Sequence, residues 1–246
     1  MNPGRRLSLI VACALFIENM DSTAIATSLP AIAADLGTEP IALKLALTAY
    51  LLSLAVFIPV SGWVADRFGA RSTFMAAIAV FLLGSLACAA SGSLEQMVAA
   101  RFLQGMGGAL MVPVGRLVLL RTVPKSELVQ ALSWLTIPAL VAPMIGPPLG
   151  GLISTYGDWR WIFLINIPMG LLGIVLARKY IPDLREAVPP LDWRGFALSG
   201  LGLALALFGF STLGRHLVST SLAASCLVLG LAAMAGYVWH ARTHPH

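Results

Sequence analysis

The chain has 246 residues, of which 58% are hydrophobic and only 11% are charged, and its mean hydropathy is +0.86. A soluble domain carries about 25% charged residues, so this composition excludes an ordinary soluble protein. The net charge of +5 does not indicate a nucleic-acid partner, because the basic residues are scattered singly or in pairs at the ends of apolar segments.

The apolar segments predict an all-α, polytopic membrane protein with eight spanning helices. About 20 apolar residues in a helix cross a bilayer, and only helices or closed barrels can do so. The runs are continuous rather than alternating, which favours helices. In chain order they are residues 7–31, 43–64, 72–91, 97–119, 128–153, 160–178, 194–211 and 219–240.

The longest predicted loop carries three prolines and mixed charges between the sixth and seventh segments. It divides the chain into a six-helix bundle at residues 1–180, a linker at 181–193, and two further spanning helices with a tail at 194–246. Lys and Arg fall mostly in the loops on one side of this arrangement, which indicates that this side and both termini are cytoplasmic.

The first segment carries two acids that share a helix face, because Glu18 and Asp21 are three residues apart. Arg101, in the fourth segment, is a candidate partner at similar depth. Charges at membrane depth are costly unless they are paired or line a wet cavity, so they indicate a functional site. A carboxylate whose distance to an arginine changes can take up and release a proton. The alternative is a structural ion pair that fixes helix packing.

The turn between the second and third segments has a distinctive spacing of glycine and charge. Gly69 predicts a tight turn, and Asp66 is placed to accept hydrogen bonds at the start of a helix. A plain positive-inside hairpin explains the arginines but not the whole pattern, which consists of Gly62, Asp66, Arg67, Gly69 and Arg71.

The fourth and fifth segments are rich in glycine and proline. Glycines let helices approach closely and prolines remove helix hydrogen bonds, so both packing and hinge roles are open. The fourth segment contributes Gln104, Gly105 and Gly107, and the fifth Pro143, Gly146, Pro147, Gly150 and Gly151. Two further residues are candidates for a substrate path, Arg116 and Asn166.

The predicted spans contain no Ser/His, Cys/His or metal-ligand cluster, which argues against a membrane enzyme. The three cysteines lie singly in apolar segments and fit small apolar packing positions. We therefore predict no catalytic residue, no metal site and no nucleic-acid partner.

Five stretches of the chain resemble the motifs of a transporter family. The chain is similar to the major facilitator superfamily, in particular to the 14-helix drug:proton antiporters of the EmrB/QacA type, and within these to the MdtD-like group. The stretches are Asp21–Pro30, Gly62–Arg71, Arg101–Ala109, Pro143–Gly151 and Trp159–Gly170.

The resemblance implies export of small lipophilic or cationic molecules across the cytoplasmic membrane by alternating access. The proton gradient would supply the energy, without another cofactor. Asp21 would carry the proton, Arg101 would be its switchable partner, and Glu18 would be an accessory acid or a contact for a cationic substrate. The hairpin from Gly62 to Arg71 would latch the cytoplasmic gate.

The chain departs from this family because it ends after about eight helices and lacks a second six-helix bundle. We expect a fragment of a longer protein or a truncated gene product. Pairing with a second chain and a non-functional chain are the alternatives. The hairpin motif and the glycine face of the fifth segment meet the second bundle in this family, so we expect their partners to be absent here. A permease for a specific metabolite and a non-transporting assembly partner remain the alternative functions.

Overall fold

The computed structural model describes residues 3–213 and 218–243. Within these residues the chain forms ten α-helices and one short 3₁₀ helix, Ile58–Val60. The α-helices are α1 (Pro3–Asp35), α2 (Lys44–Phe57), α3 (Ser61–Phe68), α4 (Ala70–Ala89), α5 (Leu94–Thr122), α6 (Leu128–Tyr156), α7 (Trp161–Leu164), α8 (Asn166–Tyr180), α9 (Trp193–Thr212) and α10 (Thr220–Thr243).

Across residues 3–213 and 218–243, eight stretches of helix are long and apolar enough to cross a membrane. Each overlaps one predicted segment, so the prediction of eight spans is confirmed. The second joins α2, the 3₁₀ helix and α3, and the sixth joins α7 and α8. The interruption of the second span was not predicted. It contains Pro59, which lacks the backbone N–H that a continuous α-helix needs.

The turn between α3 and α4 consists of one residue. Gly69 ends α3 and begins α4, and its φ of +96° lies in a region that residues with a Cβ avoid. This confirms the tight turn that the sequence predicts. The two helices therefore form a compact α3–α4 hairpin.

Close helix packing depends on glycines at the crossing points. Helix α4 packs along α5, α1 along α6 and α9 along α10. A Cβ on Gly84 would lie 2.6 Å from the backbone nitrogen of Gln104, and one on Gly107 would lie 2.6 Å from the carbonyl oxygen of Ala77. The backbones of α4 and α5 thus touch directly, as small residues allow in membrane bundles.

Helix α6 is unbroken from Leu128 to Tyr156 although it contains four prolines. Much of its surface is exposed, including Val129 and Met144, whose exposed fractions are 78% and 75%. In water such a surface would be a liability. In a bilayer it fits contact with lipid or with another membrane helix.

Two apolar clusters form the interior of the bundle. The first surrounds Phe74 and Phe81 of α4, and the second surrounds Ile25 of α1 together with Trp159 and Phe163 near α7. Along α1, Ile17 belongs to the first cluster and Ile25 to the second. The charged centre described below lies in the stretch of α1 between them.

Candidate functional site

Asp21 and Arg101 form an ion pair in the interior of the bundle. Arg101 Nη1 lies 2.6 Å from Asp21 Oδ2, and both side chains are completely buried. Asp21 comes from α1 and Arg101 from α5, so the pair joins two spans that are 80 residues apart in the chain. The structure thus brings together the two charges that the sequence paired.

Three amide and hydroxyl side chains complete a polar network around the carboxylate. Gln104 Nε2 donates to Asp21 Oδ1 at 3.1 Å, and Asn166 Nδ2 donates to the same oxygen at 2.7 Å. Both also donate to the Ser85 hydroxyl, at 2.8 and 3.2 Å. Together with Arg101, three side chains donate hydrogen bonds to Asp21. An ionised carboxylate can take all three, because its oxygens only accept hydrogen bonds.

The guanidinium of Arg101 is held from the other side by aromatic rings. Its Cζ lies 5.2 Å from the ring centre of Tyr50 and 5.3 Å from that of Phe163. Its Nε and Nη2 have no hydrogen-bond partner among the described residues. Ring faces attract cations, so these contacts offset part of the cost of burying a charge with unused donors.

Glu18 does not join this network, although it shares a helix face with Asp21 in the sequence. Tyr50 donates a long hydrogen bond of 3.4 Å to Glu18 Oε1, and Glu18 Oε2 has no partner within the described chain. Gly108 leaves room for both groups, since a Cβ there would lie 3.0 Å from the Tyr50 hydroxyl oxygen and 3.3 Å from Glu18 Oε1.

Glu18 instead lines a cavity of about 510 Å³ between α1, α2 and α5. The exposed side chain of Arg116 lies on the same cavity, two helical turns beyond Gly108 and so about 12 Å further along α5. Most of the remaining lining is apolar, namely Leu54, Ile58, Val112, Pro113, Leu117 and Leu120. Asn166, the other candidate for a substrate path, lies in the buried network and not on this cavity.

Two charged residues of the α3–α4 hairpin, Asp66 and Arg71, have partners within the chain. The Asp66 carboxylate accepts hydrogen bonds from Arg121 near the end of α5, and Arg121 also lies 3.2 Å from Glu186. Arg71 lies 3.9 Å from Asp183, at the outer limit of an ion pair. These partners lie in α5 and in the segment after α8 of this chain. The expected absence of partners from a second bundle stays a prediction.

Three residues of the hairpin motif remain to be placed, and the expectation for the first of them was wrong. Asp66 lies in the last turn of α3 and does not cap α4, whose N-cap is Gly69 without a side-chain hydrogen bond. Arg67 is exposed. No atom of the described residues lies within 4 Å of a Cβ built on Gly62.

The glycines of the α5 and α6 motifs face other spans of this chain. A Cβ on Gly105 would lie 2.7 Å from the Tyr50 carbonyl oxygen of α2. On Gly146 and Gly150 it would overlap Thr23 and Ala24 of α1. The packing of α1 along α6 thus buries these two glycines. The expected absence of second-bundle partners for the α6 face stays a prediction.

The remaining residues of the α6 motif are placed less tightly. A Cβ on Gly151 would have nothing within 4 Å. The carbonyl oxygen of Pro147 accepts a hydrogen bond from the Thr27 hydroxyl at 3.3 Å, and that of Gly150 accepts one from Ser28 at 3.0 Å. Pro143 lies within the same unbroken helix. Polar side chains of α1 thus bond to the backbone of α6 beside the proline-rich stretch.

Sequence reasoning missed Ser85 and Tyr50 as members of the site. Each is an unremarkable polar residue in an apolar segment, and nothing in its spacing relates it to Asp21 or Glu18. Asn166 and Gln104 were selected, but their common target was not. A sequence signal exists only for Gln104, which is three residues from Arg101 and therefore on the same helix face.

The arrangement of the spans matches solved membrane transporters. The crystal structure of a D-xylose–proton symporter aligns with a TM-score of 0.65 over 95% of this chain and 66% of its own, at 15% identity. The POT family transporter PepTSo aligns with a TM-score of 0.67 over 100% of this chain and 55% of its own, also at 15% identity. At such identities the likeness shows the fold, which is that of an α-helical membrane transporter.

The sequence profile of the Major Facilitator Superfamily matches residues 11–239. The chain therefore belongs to the major facilitator superfamily, as its motifs predict. It is an integral membrane protein of a transporter family and not an enzyme.

Curated relatives give a finer comparison. MdtD of Serratia proteamaculans, a protein named for multidrug resistance, is 42% identical over 94% of this chain, and MdtD of Klebsiella pneumoniae is 43% identical over 95%. HsrA of Haemophilus influenzae, named as a transport protein, is 40% identical over 99%. The chain spans about half the length of these relatives, 49%, 50% and 52% respectively.

Proposed function

We propose that this chain forms half of a proton-coupled exporter of small molecules in the cytoplasmic membrane. In this proposal both termini are cytoplasmic, and a second bundle, from the same polypeptide or another chain, completes the transport path by alternating access. The observation that carries the proposal is the fully buried pair of Asp21 and Arg101 inside a transporter fold. The names of the MdtD relatives, which refer to multidrug resistance, support drugs as the substrates and export as the direction of transport.

The network explains how one carboxylate could exchange a proton during the cycle. Arg101 attracts the ionised form of Asp21, and Coulomb attraction in a medium of low dielectric changes steeply with distance. A movement of α5 relative to α1 would separate the charges and weaken this attraction. Gln104 and Asn166 keep Asp21 hydrogen-bonded meanwhile. Proton binding would thereby be linked to the relative position of two spans.

We expect Asp21→Asn to reduce strongly the proton release that a substrate triggers. Asparagine has nearly the same size as aspartate and retains an acceptor for Gln104, but it cannot carry the proton. The measurement uses the purified protein in weakly buffered detergent solution with a pH indicator, and tetraphenylphosphonium as the lipophilic cation. Release should fall about tenfold or more, as expected if the acid that loses its proton is removed.

The matched control is Glu39→Gln, which removes an exposed acid from the loop after α1 and should leave proton release unchanged. A protein with Asp21→Asn that still binds tetraphenylphosphonium and releases protons at the original level would refute the assignment of coupling to this acid.

We further propose that the cavity lined by Glu18 holds the charged end of a cationic substrate. The carboxylate has an oxygen without a partner among the described residues, and the neighbouring walls are mostly apolar. An organic cation with apolar groups would fill such walls and pair with the acid. Arg116 would meet the opposite end of the ligand or the solvent.

We expect Glu18→Gln to weaken binding of tetraphenylphosphonium about tenfold while leaving binding of neutral triphenylphosphine oxide unchanged, because only the charge interaction is lost. Isothermal titration of both compounds measures the effect. Arg116→Gln is the companion variant, and it should not weaken the binding of tetraphenylphosphonium. Equal losses for both ligands would contradict a charge-selective site. Preferential binding of a zwitterion that needs both Glu18 and Arg116 would favour the metabolite permease instead.

A further inference from the structure

The irregular segment between α8 and α9 is bound along the α3–α4 hairpin. We call residues 181–192 the strap. The backbone N–H of Ala70, the first residue of α4, donates to the carbonyl oxygen of Leu184 at 2.9 Å, and the N–H of Glu186 donates to the carbonyl oxygen of Asp66 at 3.1 Å. The start of a helix has N–H groups without intrahelical partners, so the strap supplies a cap that no side chain of the hairpin supplies.

Side chains add further attachments on both sides of the turn. Trp63 Nε1 donates to the carbonyl oxygen of Pro189 at 2.9 Å. Asp183 lies 3.9 Å from Arg71, and Glu186 lies 3.2 Å from Arg121. The acids of the strap thus meet the arginines that surround the hairpin.

Gly69 has a second role in this contact beside its backbone conformation. A Cβ built on it would overlap the carboxylate of Asp183 and lie 3.0 Å from Arg185 Nε. The turn is therefore shaped so that the strap can lie directly against it. A side chain at position 69 would force the Asp183 side chain to move.

The two ends of the strap are anchored on different parts of the bundle. Ile181, at its beginning, is buried in the first apolar cluster. Asp192, at its end, accepts a hydrogen bond of 2.9 Å from the N–H of Gly195 and so caps α9. Its other oxygen lies 2.9 Å from His240 Nε2 of α10. The strap is thus tied to the hairpin in its middle and to both helices of the α9–α10 pair at its end.

We propose that the strap couples the α3–α4 hairpin to the α9–α10 pair, so that the two elements move together. Any movement that opens the hairpin must break contacts along the strap or drag α9 with it. This gives the two additional helices a mechanical role in addition to spanning the membrane. This coupling does not depend on which substrate or ion is transported.

Hydrogen exchange of the purified chain, followed by mass spectrometry, tests the coupling from both ends. The first variant combines Trp63→Phe, Asp183→Asn and Glu186→Gln, which removes one hydrogen bond and the charge of two exposed acids. Together these modest contacts predict about tenfold faster exchange in peptides covering the hairpin, residues 62–74, and the strap. Arg194→Gln is the control, because it removes an exposed charge from the first turn of α9 and should leave exchange in the hairpin unchanged.

The second variant, His240→Gln, perturbs the strap from its far end. If the strap transmits force, exchange in residues 62–74 rises here too, since coupling between two sites is reciprocal. Acceleration confined to α9 and α10 would overturn the proposal and reduce the strap to a local cover. Unchanged hairpin exchange in the triple variant would overturn it as well.

Discussion

Arg101→Met is expected to destabilise the folded protein by about 3–5 kcal/mol, because it leaves the completely buried Asp21 without its counter-charge. Gln104 and Asn166 would still donate to the carboxylate, but they cannot neutralise it. For a chain of this size the apparent melting temperature should fall by about 10 °C. Thermal unfolding in detergent, followed with a thiol-reactive dye, measures the change, since Cys88 is buried in the native bundle.

The double variant Arg101→Met with Asp21→Asn should recover part of this loss, because neither residue then carries a buried charge. Arg160→Met is the matched control for an arginine on the protein surface. Arg160 lies 2.9 Å from Asp35 and is 32% exposed, so its loss should cost about 1 kcal/mol or less. If Arg101→Met were no more harmful than Arg160→Met, the buried pair would not be what stabilises the bundle.

Gly150→Ala is expected to be strongly destabilising, whereas Gly151→Ala at the next position should be nearly neutral. A Cβ at position 150 would overlap the carbonyl oxygen of Ala24 and lie 2.7 Å from the Thr27 hydroxyl, but a Cβ at position 151 would meet nothing within 4 Å. Backbone atoms of α1 cannot move aside as a side chain can. Overpacking of this kind costs about 1–3 kcal/mol or more, which would push α1 away from α6.

The two variants form their own matched pair, since they change adjacent residues of one motif by the same methyl group. The difference in apparent melting temperature between them isolates the contact with α1 from any effect on helix propensity. Equal effects of the two substitutions would mean that Gly150 is not packed against α1. If only Gly151→Ala lowered the apparent melting temperature, α1 would contact the face of α6 that carries Gly151, which would contradict the prediction.

Composition and hydropathy alone determined the eight spans, because the thickness of the bilayer fixes how long an apolar helix must be. The same physics selected Asp21 and Arg101, since charges in spans need a partner. The tight turn at Gly69 was also readable, because its requirement for positive φ is local. Each of these features depends on a single segment of the sequence, or on two charges that would be costly to bury unpaired inside the membrane.

Tertiary structure decided which side chains meet. Asn166 reaches Asp21, and Ser85 reaches Gln104 and Asn166, only because α8 and α4 present these side chains to the centre of the bundle. Hydropathy does not specify that rotation of the helices. Glu18 and Asp21 share a helix face, yet one lines a cavity and the other is enclosed, because the neighbouring helices cover only part of that face. The strap is the clearest case. Its docking depends on backbone carbonyls and a few surface charges, which carry no periodic signal and acquire a partner only once the hairpin has folded.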